Sequence, residues 1–334
     1  MNLSALNKKE LVDKCKELGI KKYSGKNKDQ LIELITSHGG QPFILSDTDG
    51  ENVVTGENIV TGENVVISKV SPLTHLKPLV KWSGGKGDEI KQFEQYFPTE
   101  YETYIEPFVG GGSVFFYLAP QKAVINDVHK ELVDFYRSIA EKKSQEIYQF
   151  MEEYPNEEET FYKVRDKMVV ACPLDNAKRF YYLRKSCFRG MLRYNKDGKF
   201  NIPYGRYKTI NYSDLQNKAY EELLSRTEVL NESFEHLFQH YNDPNNFMFL
   251  DPPYDSEFTD YGYCKFGKEE QKRLADLFKS TKIKCLMIIG KTAFIEELYK
   301  DYIVGEYDKK YKFKLYAGRV GDEINTKHLV IKNY

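Results

Sequence analysis

Nowhere does the sequence contain a run of about 18 apolar residues, the least that spans a bilayer, so no membrane domain is expected. The opening residues, MNLSALNKKE, lack the apolar centre of a secretion signal. Cysteine is scarce. Cys15, Cys172, Cys187, Cys264 and Cys285 are widely separated, without a CxxC pair or the spacing of a metal-ligand cluster. That argues against a disulfide framework and a bound metal, and for reduced thiols in an intracellular setting such as cytoplasm, nucleus or a viral replication compartment. Two common nucleotide motifs are missing as well. There is no G-x-x-x-x-G-K-[ST], so Gly84-Gly85-Lys86 is not a P-loop, and no G-x-G-x-x-G follows a strand candidate. Net charge is nearly absent at −1, from 49 Lys and Arg against 50 Asp and Glu, but the charges are unevenly distributed. With 41 % hydrophobic residues in 334, the chain can bury one large domain plus something small.

Residues 1–38 read as a small helical unit. Leu3, Leu6, Leu11, Cys15 and Leu18 recur at helical spacing behind a capping Ser4, Gly19 stops the stripe, and Leu31, Ile32, Leu34 and Ile35 form a second one. Eight lysines against five acids give this unit +3. Its pattern of helix, Gly-Ile, Tyr-Ser-Gly-Lys and helix resembles a SAP motif, which implies DNA contact. Residues 39–76 differ in kind. Gly50, Gly56 and Gly62 open three copies of Gly-Glu-Asn-Val/Ile-Val-Thr, the last closing on Ile67, and the segment carries five acids against one lysine. Three short copies cannot bury a core, so an extended acidic linker is expected.

From 77 to 334 the chain alternates short apolar runs with helical patterns, as an α/β sheet protein does. Strands are expected at Tyr104–Phe108, Ala123–Ile125, Phe247–Leu250, Cys285–Ile289 and His328–Ile331, with a helix from Ser113 to Leu118. A helical and irregular insertion fills about 131–240.

Four features carry chemistry. Glu106-Pro107-Phe108-Val109-Gly110-Gly111-Gly112 places glycines straight after a strand, where backbone can approach a ligand closely. Asn126-Asp127 ends the next strand, where a carboxylate can accept both hydroxyls of a ribose or simply cap a helix. Asp251-Pro252-Pro253-Tyr254 follows four apolar residues. It suits an exocyclic amine, a poor nucleophile whose lone pair is delocalised into its ring. The Asp251 carboxylate and the Pro252 carbonyl can accept both amine hydrogens, Pro-Pro stiffens the carbonyl's direction, and Tyr254 offers a flat face for a base outside its duplex. Finally, residues 178–208 hold ten Lys or Arg and one acid, Asp197. Eight aromatics are interleaved: Phe180, Tyr181, Tyr182, Phe188, Tyr194, Phe200, Tyr204 and Tyr207. A +9 stretch studded with rings points to phosphate contacts and base stacking.

Together these residues resemble the DNA adenine methyltransferase family, with its glycine motif first, target-recognition insertion next and DPPY last. The resemblance runs from about Pro78 to Tyr334. It includes Lys81-Trp82-Ser83-Gly84-Gly85-Lys86, the EPFVGGGSVF stretch, Asn126-Asp127, DPPY and the run from Arg193 through Tyr207, RYNKDGKFNIPYGRY. The resemblance implies a Rossmann-like, mostly parallel seven-stranded sheet with one antiparallel strand and helices on both faces. It implies S-adenosylmethionine as methyl donor, no metal, double-stranded DNA as partner, and a monomer or weak dimer. Asp251, Pro252 and Tyr254 take the catalytic positions. Trp82, Lys86, Glu106, Phe108, Gly110, Asp127 and Asp251 fall to the cofactor, and Lys81, Phe188, Arg189, Arg193, Asn195, Pro203 and Arg206 to DNA.

The sequence departs from the family where Phe188-Arg189-Gly190-Met191-Leu192 replaces Tyr-Asn-Gly-Leu-Cys. Arg189 puts a long cation that favours guanine or phosphate where an amide is usual, so a GATC target is not implied. Near Ile289-Gly290-Lys291-Thr292, many relatives carry Ser-Asn. Two alternatives stay open: a cytosine-N4 DNA methyltransferase, which uses similar acceptors, and a DNA-binding protein with a decayed methyltransferase domain. A cytosine-C5 enzyme needs a Pro-Cys nucleophile, and Cys172-Pro173 has the reverse order.

Overall fold

The computed structural model describes residues 11–12, 27–28, 30–31, 75–254, 266–311, 314–315, 319–320 and 324–334. The chain divides into two compact units, Met1–Ile59 and Val60–Tyr334. In the first, Leu11 and Leu31 are fully buried. Asn27 Oδ1 accepts the Gln30 N–H at 3.0 Å while Gln30 Oε1 accepts the Asn27 N–H at 3.1 Å, a reciprocal cap before helical Leu31. The rest of the SAP-like unit and the Gly-Glu-Asn repeats lie outside the described residues. The final residues of the stretch read as a linker belong to the second unit: His75 stacks on Tyr117 with ring centroids 3.9 Å apart.

The second unit is built on a seven-stranded sheet in the order β3-β2-β1-β4-β5-β9-β6. Its strands are β1 (Tyr104–Glu106), β2 (Ala123–Asn126), β3 (Thr227–Leu230), β4 (Phe247–Leu250), β5 (Lys284–Gly290), β6 (Ile303–Tyr311) and β9 (Ile324–Lys332). A separate pair, β7 (Lys314–Leu315) and β8 (Arg319–Val320), is antiparallel. Strands β3 to β5 run parallel, and β9 is antiparallel to both β5 and β6. This is the expected mostly parallel sheet with one reversed strand. Continuous apolar runs mark strands covered on both faces, and their alternation divides the core. Phe247 and Phe249 pack with Tyr104, Phe115 and Ile288 on one face; Met248 and Leu250 pack with Ile105, Val124 and Met287 on the other.

The helices of this unit are α1 (Ile90–Phe93), α2 (Ser113–Leu118), α3 (Lys130–Ala140), α4 (Ser144–Glu153), α5 (Glu158–Lys167), α6 (Pro173–Ser186), α7 (Lys218–Ser225), α8 (Phe234–His240), α9 (Lys268–Ser280) and α10 (Ala293–Tyr299). Within the stretch read as a helical insertion, helices α3 to α7 share the core of one sheet face, with Phe135 stacked on Tyr181 at 5.0 Å. Strand β3 also lies in that stretch and pairs with β2 at the sheet edge, a strand that the sequence reading did not separate from its surroundings. Among the described residues no helix is long and apolar enough to cross a membrane.

Candidate active site and DNA-facing surface

Strand β1 lies between β2, the next strand in the chain, and β4, which follows some 120 residues later. Connections leave this point toward opposite halves of the sheet, so a crevice opens at the carboxyl ends of β1 and β4, where doubly wound sheets hold ligands. All three short motifs end there: the glycine turn after β1, Asn126-Asp127 at the end of β2, and Asp251–Tyr254 after β4.

The glycine turn is fixed by geometry that other residues resist. Gly110 has φ of +47°, and a Cβ on it would stand 2.5 Å from Trp82 Cδ1, so the indole lies directly on the turn. Gly110 donates its N–H to Asp127 Oδ2 at 2.9 Å, and His129 donates its N–H to Oδ1 at 2.9 Å. Burial nevertheless pushes the Asp127 carboxyl up to about 6, against the backbone N–H groups of His129, Gly110 and Val128. Each carboxylate oxygen keeps a lone pair for another donor. Asn126 works differently. Its amide donates to the Pro107 and Glu232 carbonyls at 2.9 and 3.0 Å, and its oxygen accepts the Glu232 N–H, locking the exits of β1 and β2 to the segment after β3.

Lys86 reaches the same crevice from the loop before β1. It is 1 % exposed, and its Nζ donates to Asp251 Oδ1 at 2.5 Å and to the Gly84 carbonyl at 2.9 Å. Burial raises the Asp251 pKa, and the Lys86 ammonium opposes that rise. Among the described residues, neither Asp251 Oδ2 nor the Pro252 carbonyl receives a hydrogen bond. The Pro253 carbonyl accepts from buried Gln271 Nε2 at 2.7 Å, which pins the Pro-Pro turn to α9. Glu106 is buried beside this pair and accepts the Tyr104 hydroxyl at 2.7 Å; burial holds its carboxyl well above the ordinary range. Phe108 forms an aromatic wall with Phe234 and Phe266, both at 5.6 Å.

Tyr254 sits between Lys86, whose Nζ is 5.1 Å from the ring centroid, and the edge of His328 at 5.4 Å. Behind it lies a buried cluster. Glu89 accepts from His328 Nδ1 at 2.7 Å, Tyr307 OH at 2.8 Å and Lys309 Nζ. Burial works to raise the Glu89 pKa, but these partners and Lys86 override it and bring the carboxyl down to about 2. Gln271 and His328 are not marked as site residues in the sequence because each reaches this region from a distant element, and Glu89, three residues after Lys86, carries no motif of its own.

The basic stretch divides in a way that composition does not show. Phe180, Tyr181, Tyr182 and Phe200 are buried core residues, and Tyr194, Tyr204 and Tyr207 are half-buried, so base stacking does not explain most of these rings. Phe188 is the exposed aromatic of the stretch, with the Arg189 guanidinium 5.2 Å from its ring. Arg184 is buried over Trp82 at 5.4 Å and donates to the Lys81 carbonyl. Lys81, Arg189, Arg193, Lys196, Lys199, Arg206 and Lys208 remain exposed. Pro203 is exposed too, and its carbonyl accepts the Phe188 N–H at 2.9 Å.

Residues 193–201 form a small hairpin. Asn195 Oδ1 accepts the Asp197 and Lys199 N–H groups at 3.0 and 2.9 Å, so its amide builds the turn; Arg193 Nε donates to Asn201 Oδ1 at 2.8 Å. The return leg docks against the end of α6 through Gly205, where a Cβ would meet the Ser186 and Cys187 carbonyls at 2.7 Å. Arg206 pairs with Glu158 at 3.3 Å on the open surface.

Residues 82–315 match the D12 class N6 adenine-specific DNA methyltransferase family. The chain belongs to that family. It is 60 % identical over 261 residues to Type II methyltransferase M.CviBI of Paramecium bursaria Chlorella virus NC1A, covering 78 % of this chain and 100 % of that protein. It is 34 % identical over 248 residues to Type II methyltransferase M1.LlaDCHI of Lactococcus lactis subsp. cremoris, covering 68 % and 86 %. It is 28 % identical over 244 residues to the DNA adenine methylase of Haemophilus influenzae, covering 69 % and 85 %. The protein is therefore an adenine-specific DNA methyltransferase, and the cytosine-N4 and decayed-domain alternatives give way.

Proposed function

We propose that this enzyme methylates N6 of adenine within a specific duplex sequence, using S-adenosylmethionine and a target base swung out of the helix into the crevice beside Asp251. The observation that carries this reading is the convergence of the glycine turn, Asp127 and the Lys86–Asp251 pair at the β1/β4 switch point.

The crevice fits the donor by shape and charge. The glycine turn brings backbone close, Asp127 can accept ribose hydroxyls, Lys86 is a buried cation for a carboxylate, and Trp82 and Phe108 flank the turn with apolar surface. S-adenosylmethionine supplies an electrophilic methyl on a sulfonium. Everything else falls to the chain. Asp251 and the Pro252 carbonyl accept the two amine hydrogens and draw the nitrogen toward sp³ geometry. Gln271 holds the Pro-Pro turn in register, and Tyr254 provides the ring against which adenine lies. Catalysis on this reading is positioning and electrostatics, with no covalent enzyme intermediate. Pairing with Lys86 favours an anionic Asp251 acceptor against the burial that raises its pKa, in a site largely shielded from water.

Lys81, Phe188, Arg189, Arg193, Pro203 and Arg206 form the DNA-facing surface on this reading, with Phe188 as the wedge. Asn195 serves that surface by shaping the hairpin. The basic N-terminal residues 1–38 add non-specific, salt-sensitive DNA affinity, and the acidic repeat spaces them from the catalytic unit. The test is direct. Plasmid DNA from cells expressing the enzyme should contain N6-methyladenine at one recurring sequence, and Asp251→Ala should abolish transfer while duplex binding stays measurable. N4-methylcytosine, or activity retained in Asp251→Ala, would refute the assignment.

A further inference from the structure

Two residues outside every assigned role join the cofactor crevice to the DNA-facing hairpin. His129 follows Asp127 by two positions and donates its backbone N–H to that carboxylate at 2.9 Å. Its ring caps α3: Nδ1 accepts the Leu132 N–H at 3.2 Å. An accepting Nδ1 places the ring hydrogen on Nε2. Nε2 lies 2.7 Å from the Tyr194 hydroxyl and therefore donates to it. The hydroxyl in turn donates to Glu131 Oε2, and Glu131 Oε1 accepts from Arg179 Nη1 at 3.2 Å. Each step has one direction, and each group uses the atom the previous one leaves available. Burial, reinforced by the nearby Arg184 guanidinium, pushes the His129 pKa down to about 3, which agrees with a neutral imidazole in this chain. The ring also packs against Phe180 at 5.7 Å and against Trp82, edge-on at 5.5 Å, the same indole that lies on Gly110.

Tyr194 turns inward from the hairpin, beside the buried Phe200. Its neighbours Arg193, Asn195 and Lys196 are exposed, and it bridges Phe200 across the hairpin. A lone hairpin is marginally stable in water, so its anchor sets its pose. The anchors here are Phe200 in the core and, through Tyr194, a ring that belongs to the cofactor-side loop.

We propose that the His129–Tyr194 hydrogen bond is a positioning link through which occupancy of the cofactor crevice and engagement of DNA by the 193–201 hairpin strengthen each other. This rests on the assignment of the two flanking sites given above. A donor settling on Asp127 and Trp82 orders the 127–129 segment, and the imidazole passes that order to the hairpin. By linkage, DNA must tighten cofactor binding by the same factor by which cofactor tightens DNA binding.

Two substitutions break the link. Tyr194→Phe keeps the ring but removes the hydroxyl, and with it the bond to Glu131. His129→Asn keeps a side-chain oxygen able to cap α3 but is too short to reach Tyr194. Trp82 is the chain's single tryptophan, so its fluorescence reports S-adenosylhomocysteine binding at the site itself. The dissociation constant is measured for the full chain with and without a saturating duplex that carries the sequence methylated by the wild type.

The wild-type ratio should be about tenfold, and each single variant and the double variant should bring it to within about twofold of one. S-adenosylhomocysteine affinity without DNA should stay within about twofold of wild type in each. A ratio unchanged in both folded single variants overturns the link, as does weakened cofactor binding with the ratio preserved, the mark of a merely structural role. Wild type that binds neither ligand refutes the site assignment instead. Wild type that binds both with a ratio of one refutes only the coupling.

Discussion

Replacing Lys86 with methionine tests what holds Asp251 ready. The substitution keeps most of the aliphatic stem and removes an ammonium 2.5 Å from Asp251 Oδ1, in a pair with side chains 1 % and 20 % exposed. Unit charges about 4 Å apart attract by about 4 kcal/mol at an effective dielectric of about 20. Truncating one partner of a buried pair costs about 3–5 kcal/mol, because the other charge stays desolvated. Asp251 can escape that cost by binding a proton. Burial raises its pKa and Lys86 opposes the rise, so the variant should carry the carboxyl further upward. The anion is the much stronger acceptor for the amine hydrogen, so activity falls as pH drops through the Asp251 pKa. The acid limb of kcat/KM should therefore move to higher pH in Lys86→Met. At neutral pH the loss should be about 10²–10³-fold, the usual effect of removing one electrostatic contact to a reacting centre, with partial recovery as pH rises. Tritiated methyl transfer measured from about pH 5 to pH 9 gives both limbs. If the loss is the same at every pH, Lys86 does not hold Asp251 ionised, and its contribution lies in cofactor binding alone.

Other perturbations probe the surroundings. Gly110→Ala forces a φ of +47° on a residue with a Cβ, at about 1–2 kcal/mol, and drives that carbon into Trp82; Trp82 emission should shift and cofactor affinity should fall at least about tenfold, and unchanged titrations would remove the turn from the site. Glu89→Gln should destabilise the fold by about 3 kcal/mol at neutral pH, from the drop of its pKa from the ordinary 4.5 to about 2. Because that pKa is depressed, the contribution is present above about 4.5 and is lost as pH falls toward about 2; urea unfolding of both proteins along that range should show the gap closing. Removing Met1–Ile59, one compact unit, should weaken salt-sensitive duplex binding and leave methyl transfer intact in filter-binding and transfer assays.

Much of this enzyme was legible in the sequence because the informative signals are local. Phe247–Leu250 is apolar at every position since both faces of a central parallel strand are covered. The glycine turn and the Pro-Pro turn are written in residues whose backbone limits are their own. Strand β3 was not separable from its surroundings, because Thr227-Glu228-Val229-Leu230 lies at an edge, is only partly covered and has no repeating pattern. The basic, aromatic stretch misled in part for a related reason. Phe180, Tyr181 and Tyr182 are consecutive, and only the packing of α6 against α3 and α4 shows that all three are interior.

The sequence by itself determined the strand–turn units and the residue types at their ends, since these follow from backbone sterics and from apolar runs too short to be anything else. Tertiary structure alone decided which charges meet. Lys86 and Asp251 are 165 residues apart, Glu89 and His328 are 239 apart, and His129 reaches Tyr194 across 65. The first two arise because strand order brings β1, β4 and β9 together in a sheet whose order is not the order of the chain. Burial then sets their strength, because a charge removed from water depends on the few groups that the fold places beside it.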